Sequence, residues 1–289
     1  MYHDRITVPF ASLSWLETVF TRANIVTYPT VSSRRLLAIM LLAVTATVVK
    51  NTYADGPVSV AQANIPATNA PDAADAKTDL AIGKLRVSKV LFLGNSITLH
   101  GPAPEIGWTG NWGMAASAED RDYVHLLMTQ IARAAGGQPQ VRVKNIADFE
   151  RTLRLYAVQT ELKEELAYGA DLIIVAIGEN AAAIETQAET EAFRSAVGNL
   201  FAELKKSGQP TLLVRSQFWA DTNKDAILKE AALAAGGHFV DISSLGDEAT
   251  NFARAERTIE HAGVAGHPGD QGMKELADVL WKSIKALSQ

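Results

Sequence analysis

Leu172-Ile173-Ile174-Val175-Ala176-Ile177 runs directly into Gly178-Glu179-Asn180. Six apolar residues without polar alternation are what a strand carries when both its faces are covered, and this one is expected at the centre of a parallel sheet. Four more short apolar runs lie around it, Lys89–Leu93, Val141–Ile146, Thr211–Arg215 and His238–Ile242. Between them, residues 121–135, 152–168, 186–207, 221–235 and 270–286 carry apolar side chains at spacings of three and four. Gly136-Gly137, Gly208 and Gly236-Gly237 act as C-terminal stops. Strand and helix in alternation predict an α/β fold, a three-layer α/β/α sandwich on a five-stranded parallel sheet. No internal repeat interrupts residues 84–289, which are expected to form one domain.

The chain upstream of this domain reads differently. Arg34-Arg35 precede an apolar run from Leu36 to Val49, and Thr52-Tyr53-Ala54 follow with small residues suited to cleavage. This run of fourteen residues spans about 21 Å as a helix, short of a hydrocarbon core of about 30 Å. Residues 1–54 are therefore expected to be an N-terminal extension with a signal peptide, and the mature chain to be periplasmic or secreted. A twin-arginine signal and an uncleaved anchor are the alternatives. Residues 55–83, small, polar and punctuated by proline, bring too few large apolar side chains to offset the entropy of ordering and are expected to form a flexible linker.

Composition narrows function by exclusion. A net charge of −5 and pI near 5.7 supply no basic stripe for nucleic acid. The absence of cysteine removes disulfides, thiolate metal sites and a cysteine nucleophile together. No His/Asp/Glu grouping has metal-ligand spacing, and neither GxGxxG nor GxxxxGK occurs at Gly94, so no cofactor is expected. Contact with a membrane is expected only through the export signal.

In an open parallel sheet, chemistry gathers at the carboxyl ends of the strands. Ser96 follows the first strand in Gly94-Asn95-Ser96-Ile97-Thr98, where flanking residues tolerate a tight turn. A serine there can also simply cap the next helix. Asn180 in Gly178-Glu179-Asn180 is a candidate oxyanion donor or an ordinary turn residue. His267, in Gly266-His267-Pro268-Gly269, sits in a loop before the last amphipathic helix, able to reach the sheet edge or to lie idle on the surface.

Serine after the first strand, Gly-x-Asn after the third and histidine before the final helix together resemble the SGNH/GDSL hydrolase superfamily, with its flavodoxin-like fold. The resemblance extends over roughly residues 84–289. It implies a serine ester hydrolase with Ser96 as nucleophile, His267 as general base, and an oxyanion hole formed by the Ser96 N–H and Asn180. Asn95 replaces the Asp of the more familiar GDS motif. The family's glycine after the second strand, whose N–H completes the oxyanion hole, falls near Glu150 in this chain. The Asp usual three residues before the histidine is replaced by Val264. A Ser-His dyad is the direct consequence, with Glu260, Asp270 or a backbone carbonyl as possible orienters of the imidazole.

A long loop from His100 to Gly113 carries Trp108 and Trp112, and Trp219 follows the fourth strand. With Asn95 and Gly178, these tryptophans are candidates for the substrate pocket, since indole faces pack against sugar rings; the alternative is that they cover core. The expected substrate is a small-molecule or glycan acyl ester, with carbohydrate O-acetyl groups foremost. The competing expectations are a non-hydrolytic glycan-binding protein and an O-acyltransferase.

Overall fold

The computed structural model describes residues 79–289. The signal peptide and the first part of the linker lie outside the described residues. The end of the linker does not: Leu80 is buried in the core, and β1 (Ala81–Ile82) pairs antiparallel with β2 (Leu85–Arg86). Residues 80–83, expected in the linker, are thus packed with the sheet domain. Gly83 turns this hairpin at φ 55°, where a Cβ would stand 2.0 Å from the Ser288 carbonyl oxygen. The Lys84 N–H donates to that same carbonyl at 3.0 Å, so the hairpin fastens the end of the chain.

The main sheet contains β3 (Lys89–Gly94), β4 (Gln140–Asn145), β5 (Leu172–Ala176), β6 (Thr211–Arg215) and β7 (His238–Val240), all parallel, in the order β4-β3-β5-β6-β7. Side chains alternate across the pleat, so each central strand feeds two cores. Val90 and Phe92 of β3, Leu172 and Ile174 of β5 and Leu213 of β6 face one apolar cluster, while Leu91, Leu93, Ile173, Val175, Leu212 and Val214 face the other.

The first cluster is closed by α1 (Tyr123–Ala135), which packs through Leu127 and Ile131 and which Asp122 caps by accepting from the His125 N–H. Residues 152–168, read as one helix, are instead divided. The chain forms α2 (Ala147–Thr152), a 3-10 turn at Leu153–Leu155, α3 (Val158–Glu161) and α4 (Lys163–Ala167). Leu153 adopts φ 48°, left-handed backbone that ends a helix without glycine or proline to announce it.

The second cluster is covered by α5 (Gln187–Lys206) and α6 (Thr222–Ala234). Thr186 and Glu189 satisfy each other's backbone N–H groups in a capping box at the start of α5. Two short helices, α7 (Ala253–Glu256) and α8 (Ala262–Ala265), lead to α9 (Asp270–Leu287), which returns to the first cluster through Met273, Leu276, Leu280 and Ile284.

The strand order leaves β3 between β4 and β5, so the connections after β3 and β5 depart to opposite sides. A crevice opens at such a reversal, and the loops after Gly94 and Ala176, register partners on adjacent strands, both open onto it.

Candidate active site

β3 ends at Gly94, where a Cβ would fall 1.9 Å from Thr98 Oγ1; only glycine lets the chain fold back so tightly. The turn that follows is held by the Asn95 carbonyl, which accepts from the Thr98 and Leu99 N–H groups at 2.9 and 3.0 Å. The Asn95 Oδ1 accepts from the Ile97 N–H at 3.2 Å. Thr98 is in turn anchored to the Tyr123 hydroxyl at 2.7 Å. Ser96 rides on top of this turn, half-buried, with its Oγ 2.8 Å from His267 Nε2.

His267 arrives from the opposite end of the chain on a pinned loop. Its carbonyl accepts from the Ala253 N–H at 2.9 Å, its own N–H donates to Val264, and Phe252 bridges to Pro268. Nδ1 lies 2.7 Å from the Gly263 carbonyl oxygen. A carbonyl can only accept, so Nδ1 carries the hydrogen and Nε2 is left with a lone pair for the Ser96 hydroxyl. Burial depresses the His267 pKa below its ordinary 6.5, and nearby His100 and His261 push the same way against the Gly263 hydrogen bond. The imidazole is therefore neutral at neutral pH.

Of the three orienters open to sequence, the backbone carbonyl occupies the position. Val264 is buried in an apolar cluster with Trp108 and Met114, Glu260 is exposed, and the Asp270 carboxylate accepts from the Ser117 N–H and hydroxyl at 2.7 and 2.6 Å.

Beyond β5, Gly178 turns at φ 123°, where a Cβ would meet the Gln217 side chain at 2.8 Å. The buried Lys224 donates to the Gly178 and Ala181 carbonyls at 3.3 and 3.1 Å, holding the loop that carries Asn180. The Asn180 amide donates to Glu150 Oε2 at 2.5 Å, and the Gly178 N–H donates to Glu150 Oε1. Glu150 was expected to present its backbone N–H. It lies instead inside α2, and what reaches the Gly178–Asn180 turn is its buried carboxyl.

Asn95 ties this turn to a second acid. Its Nδ2 donates to Glu150 Oε1 at 3.1 Å and to Glu179 Oε2 at 2.7 Å. Glu179 also accepts from Arg215 Nη1 at 2.7 Å and the Phe218 N–H at 3.0 Å, and the two side chains of that ion pair are 2 % and 0 % exposed. The two acids take opposite charge preferences. Burial pushes Glu150 up to about 7, and the charge on Glu179 adds to it, against three hydrogen bonds that favour the carboxylate. Burial would raise Glu179 too, but the Arg215 charge and hydrogen bond outweigh it and hold Glu179 below the usual carboxylate range.

The tryptophans separate. Trp108 is 6 % exposed and stacks edge-on against Trp112 at 5.6 Å; their indole nitrogens donate to the His100 and Ala116 carbonyls at 3.0 Å each. Trp108 thus packs inside the long loop instead of lining a pocket, and Trp112, half-buried, packs between that loop and the first core cluster. Trp219 is 37 % exposed, its ring 5.2 Å from that of His267 and perpendicular to it. Ser96, His267 and Trp219 are brought together at one strand edge, with Asn95, Gly178, Asn180 and Glu150 joined in the adjoining network. Sequence reasoning missed Glu179, Arg215 and Lys224, and left open which backbone carbonyl would stand behind His267. An arginine ending the apolar run Thr211–Arg215 was the available signal for the buried pair.

Among the described residues no group of three or more His, Cys, Asp or Glu side chains is placed to hold a metal ion, and no helix is long and apolar enough to cross a membrane.

No family model matches the chain, and no curated protein matches its sequence. Its structural neighbours are GDSL-like lipases and family two carbohydrate esterases. A GDSL-like lipase from Bacteroides uniformis is 14% identical with a TM-score of 0.45, over 69% of this chain and 96% of the other. A two-domain esterase active on acetylated mannans, crystallised with mannopentaose, is 19% identical with a TM-score of 0.45; the match covers 70% of this chain and only 50% of that one. A family two carbohydrate esterase from Cellvibrio japonicus is 19% identical with a TM-score of 0.40, over 69% of this chain and 61% of the other.

Proposed function

We propose that this chain is an exported serine ester hydrolase of the SGNH/GDSL type that cleaves O-acyl esters through Ser96 and His267. The observation that carries the proposal is the 2.8 Å contact between Ser96 Oγ and His267 Nε2, with the imidazole tautomer fixed from behind by the Gly263 carbonyl. Hydroxyl and imidazole within hydrogen-bond reach, the base oriented by a third group, is the arrangement that activates a serine.

In this mechanism His267 takes the Ser96 proton as Oγ attacks the acyl carbon. Charge passes to the former carbonyl oxygen, which meets the Ser96 N–H and the Asn180 amide. The tetrahedral species collapses, the C–O bond to the alcohol breaks, and His267 returns the proton to the departing oxygen. Water, deprotonated by His267, then attacks the acyl-serine; the acyl C–Oγ bond breaks, His267 returns the proton to Ser96 Oγ, and the acid is released. A carbonyl behind the imidazole stabilises the imidazolium less than a carboxylate does, so a lower rate than that of a full triad is expected.

The exposed face of Trp219 beside His267 supports a carbohydrate acceptor, because a flat apolar surface next to the reacting centre suits a sugar ring. Export rests on residues 34–54. A second reading, a glycan-binding protein without efficient hydrolysis, draws support from the Glu150 carboxyl on the Asn180 amide; an O-acyltransferase would be recognised by acylated product when a sugar acceptor is added. Hydrolysis of p-nitrophenyl acetate separates the readings. Turnover abolished by Ser96→Ala supports the hydrolase, and identical turnover in wild type and Ser96→Ala defeats it.

A further inference from the structure

Among the described residues, Glu150 is the acid whose carboxyl touches Asn180, the side chain that the hydrolase reading sets aside for the oxyanion. One of its oxygens engages the Asn180 amide at 2.5 Å, and the other takes the Gly178 N–H and Asn95 Nδ2. An ionised carboxylate there opposes the reaction twice. It occupies a hydrogen of the amide, and it places a negative charge beside the oxygen on which negative charge must develop, in surroundings that water screens poorly.

We propose that Glu150 gates catalysis by its charge: as the neutral acid it leaves the Asn180 amide free to serve the oxyanion, and as the carboxylate it captures that amide and shuts the site. The inference rests on the hydrolase reading and makes Glu150 a positioning residue that acts through Asn180. No bond is made or broken by Glu150; one proton exchanged with solvent separates the open and closed states.

Every charged group around the carboxyl bears on where the exchange falls. Glu179, from the loop after β5, disfavours the carboxylate, while Arg215 at the end of β6 favours it and is already committed to Glu179 at 2.7 Å. Asn95, Asn180 and the Gly178 N–H stabilise the charged form by hydrogen bonds. On α2 itself, Asp148 and Arg151 pair with each other at the surface at 3.0 Å. Burial and Glu179 prevail, and the group titrates at about 7. His267, the base, must lose its proton below 6.5.

The two requirements bracket a narrow window. In the full chain, kcat/KM for p-nitrophenyl acetate is expected to rise as His267 deprotonates and then to fall about tenfold or more by pH 8.5 as Glu150 ionises. Glu150→Gln, which keeps the shape and cannot ionise, is expected to retain the rising limb and then to stay level to pH 9. A wild-type profile that rises to a plateau above pH 7 overturns the gate, whether or not the variant folds. So does an upper limb that Glu150→Gln retains. A fluorophosphonate probe that labels serine nucleophiles gives a second reading: labelling of Ser96 with the same pH dependence in both proteins sinks the gate alone. Absence of labelling at every pH in both proteins sinks the hydrolase reading, and the gate with it.

Discussion

Glu150 in α2 and Glu179 in the loop after β5, two buried acids, share one donor, the Asn95 side-chain amide, at 3.1 and 2.7 Å. The serine turn after β3 is thereby tied to the loops after β4 and β5. Asn95 stands where the resembling family carries aspartate, and its surroundings give that replacement a physical reason: a third carboxyl would have no donor left to offer and would face two acids instead.

Asn95→Asp, which restores the familiar GDS motif, is accordingly expected to harm this protein. Losing hydrogen bonds to two acidic groups and adding a like charge costs about 2 kcal/mol or more. Chemical denaturation at pH 8 should show that loss, shrinking toward pH 5 as Glu150 protonates.

Stability itself should respond to Glu150. Its folded pKa of about 7 stands above the ordinary carboxylate value of 4.5, so the folded state binds more protons than the unfolded one between those limits. Stability attributable to this group is greatest below 4.5, declines as pH rises toward 7 and is level above it. Glu179 has the opposite sign: its contribution is present above 4.5 and is lost as pH falls through its depressed folded pKa. Glu150→Gln should therefore raise the unfolding free energy at pH 8 relative to wild type by on the order of 2 kcal/mol, read as a higher melting temperature, and change it little at pH 4.

Arg215 is fully buried, bonds Glu179 and the Ser216 carbonyl through Nη1, and leaves Nε and Nη2 without a partner among the described residues. Arg215→Met strands the Glu179 carboxylate in the interior. A loss of about 3–5 kcal/mol is expected in denaturant titrations. The double variant Arg215→Met/Glu179→Gln, with no stranded charge, should recover part of it.

At Gly178, φ 123° and the Gln217 side chain both exclude a Cβ. Gly178→Ala is expected to cost about 1–3 kcal/mol and to shift the loop bearing Asn180. Under the proposed mechanism, esterase kcat should fall with it while KM changes less, because that mechanism has Asn180 serve the transition state and not ground-state binding.

The strands were legible because each is a short apolar run, and Leu172–Ala176, buried on both faces, declared the sheet's centre most clearly. The meeting of Ser96 with His267 was legible from their positions after the first strand and before the last helix. Residues 152–168 were misread because helical spacing persists through them, while the break at Leu153 depends on a left-handed backbone conformation that leucine does not advertise. Glu150 was placed near the oxyanion site, yet whether its N–H or its carboxyl faces inward depends on how α2 sits against the loop after β5. The orienter of His267 was illegible for a different reason, since any residue can supply a carbonyl and Gly263 carries no side chain to reveal it.

The central claim, that Ser96 carries the acyl group, is tested most directly by trapping it. Wild-type protein mixed with p-nitrophenyl acetate, quenched in acid within the first turnover and digested, should yield the peptide bearing Ser96 with one acetyl group, and His267→Ala should not. Turnover proceeding with no acetyl on Ser96, or with the acetyl group on another residue, would contradict the account.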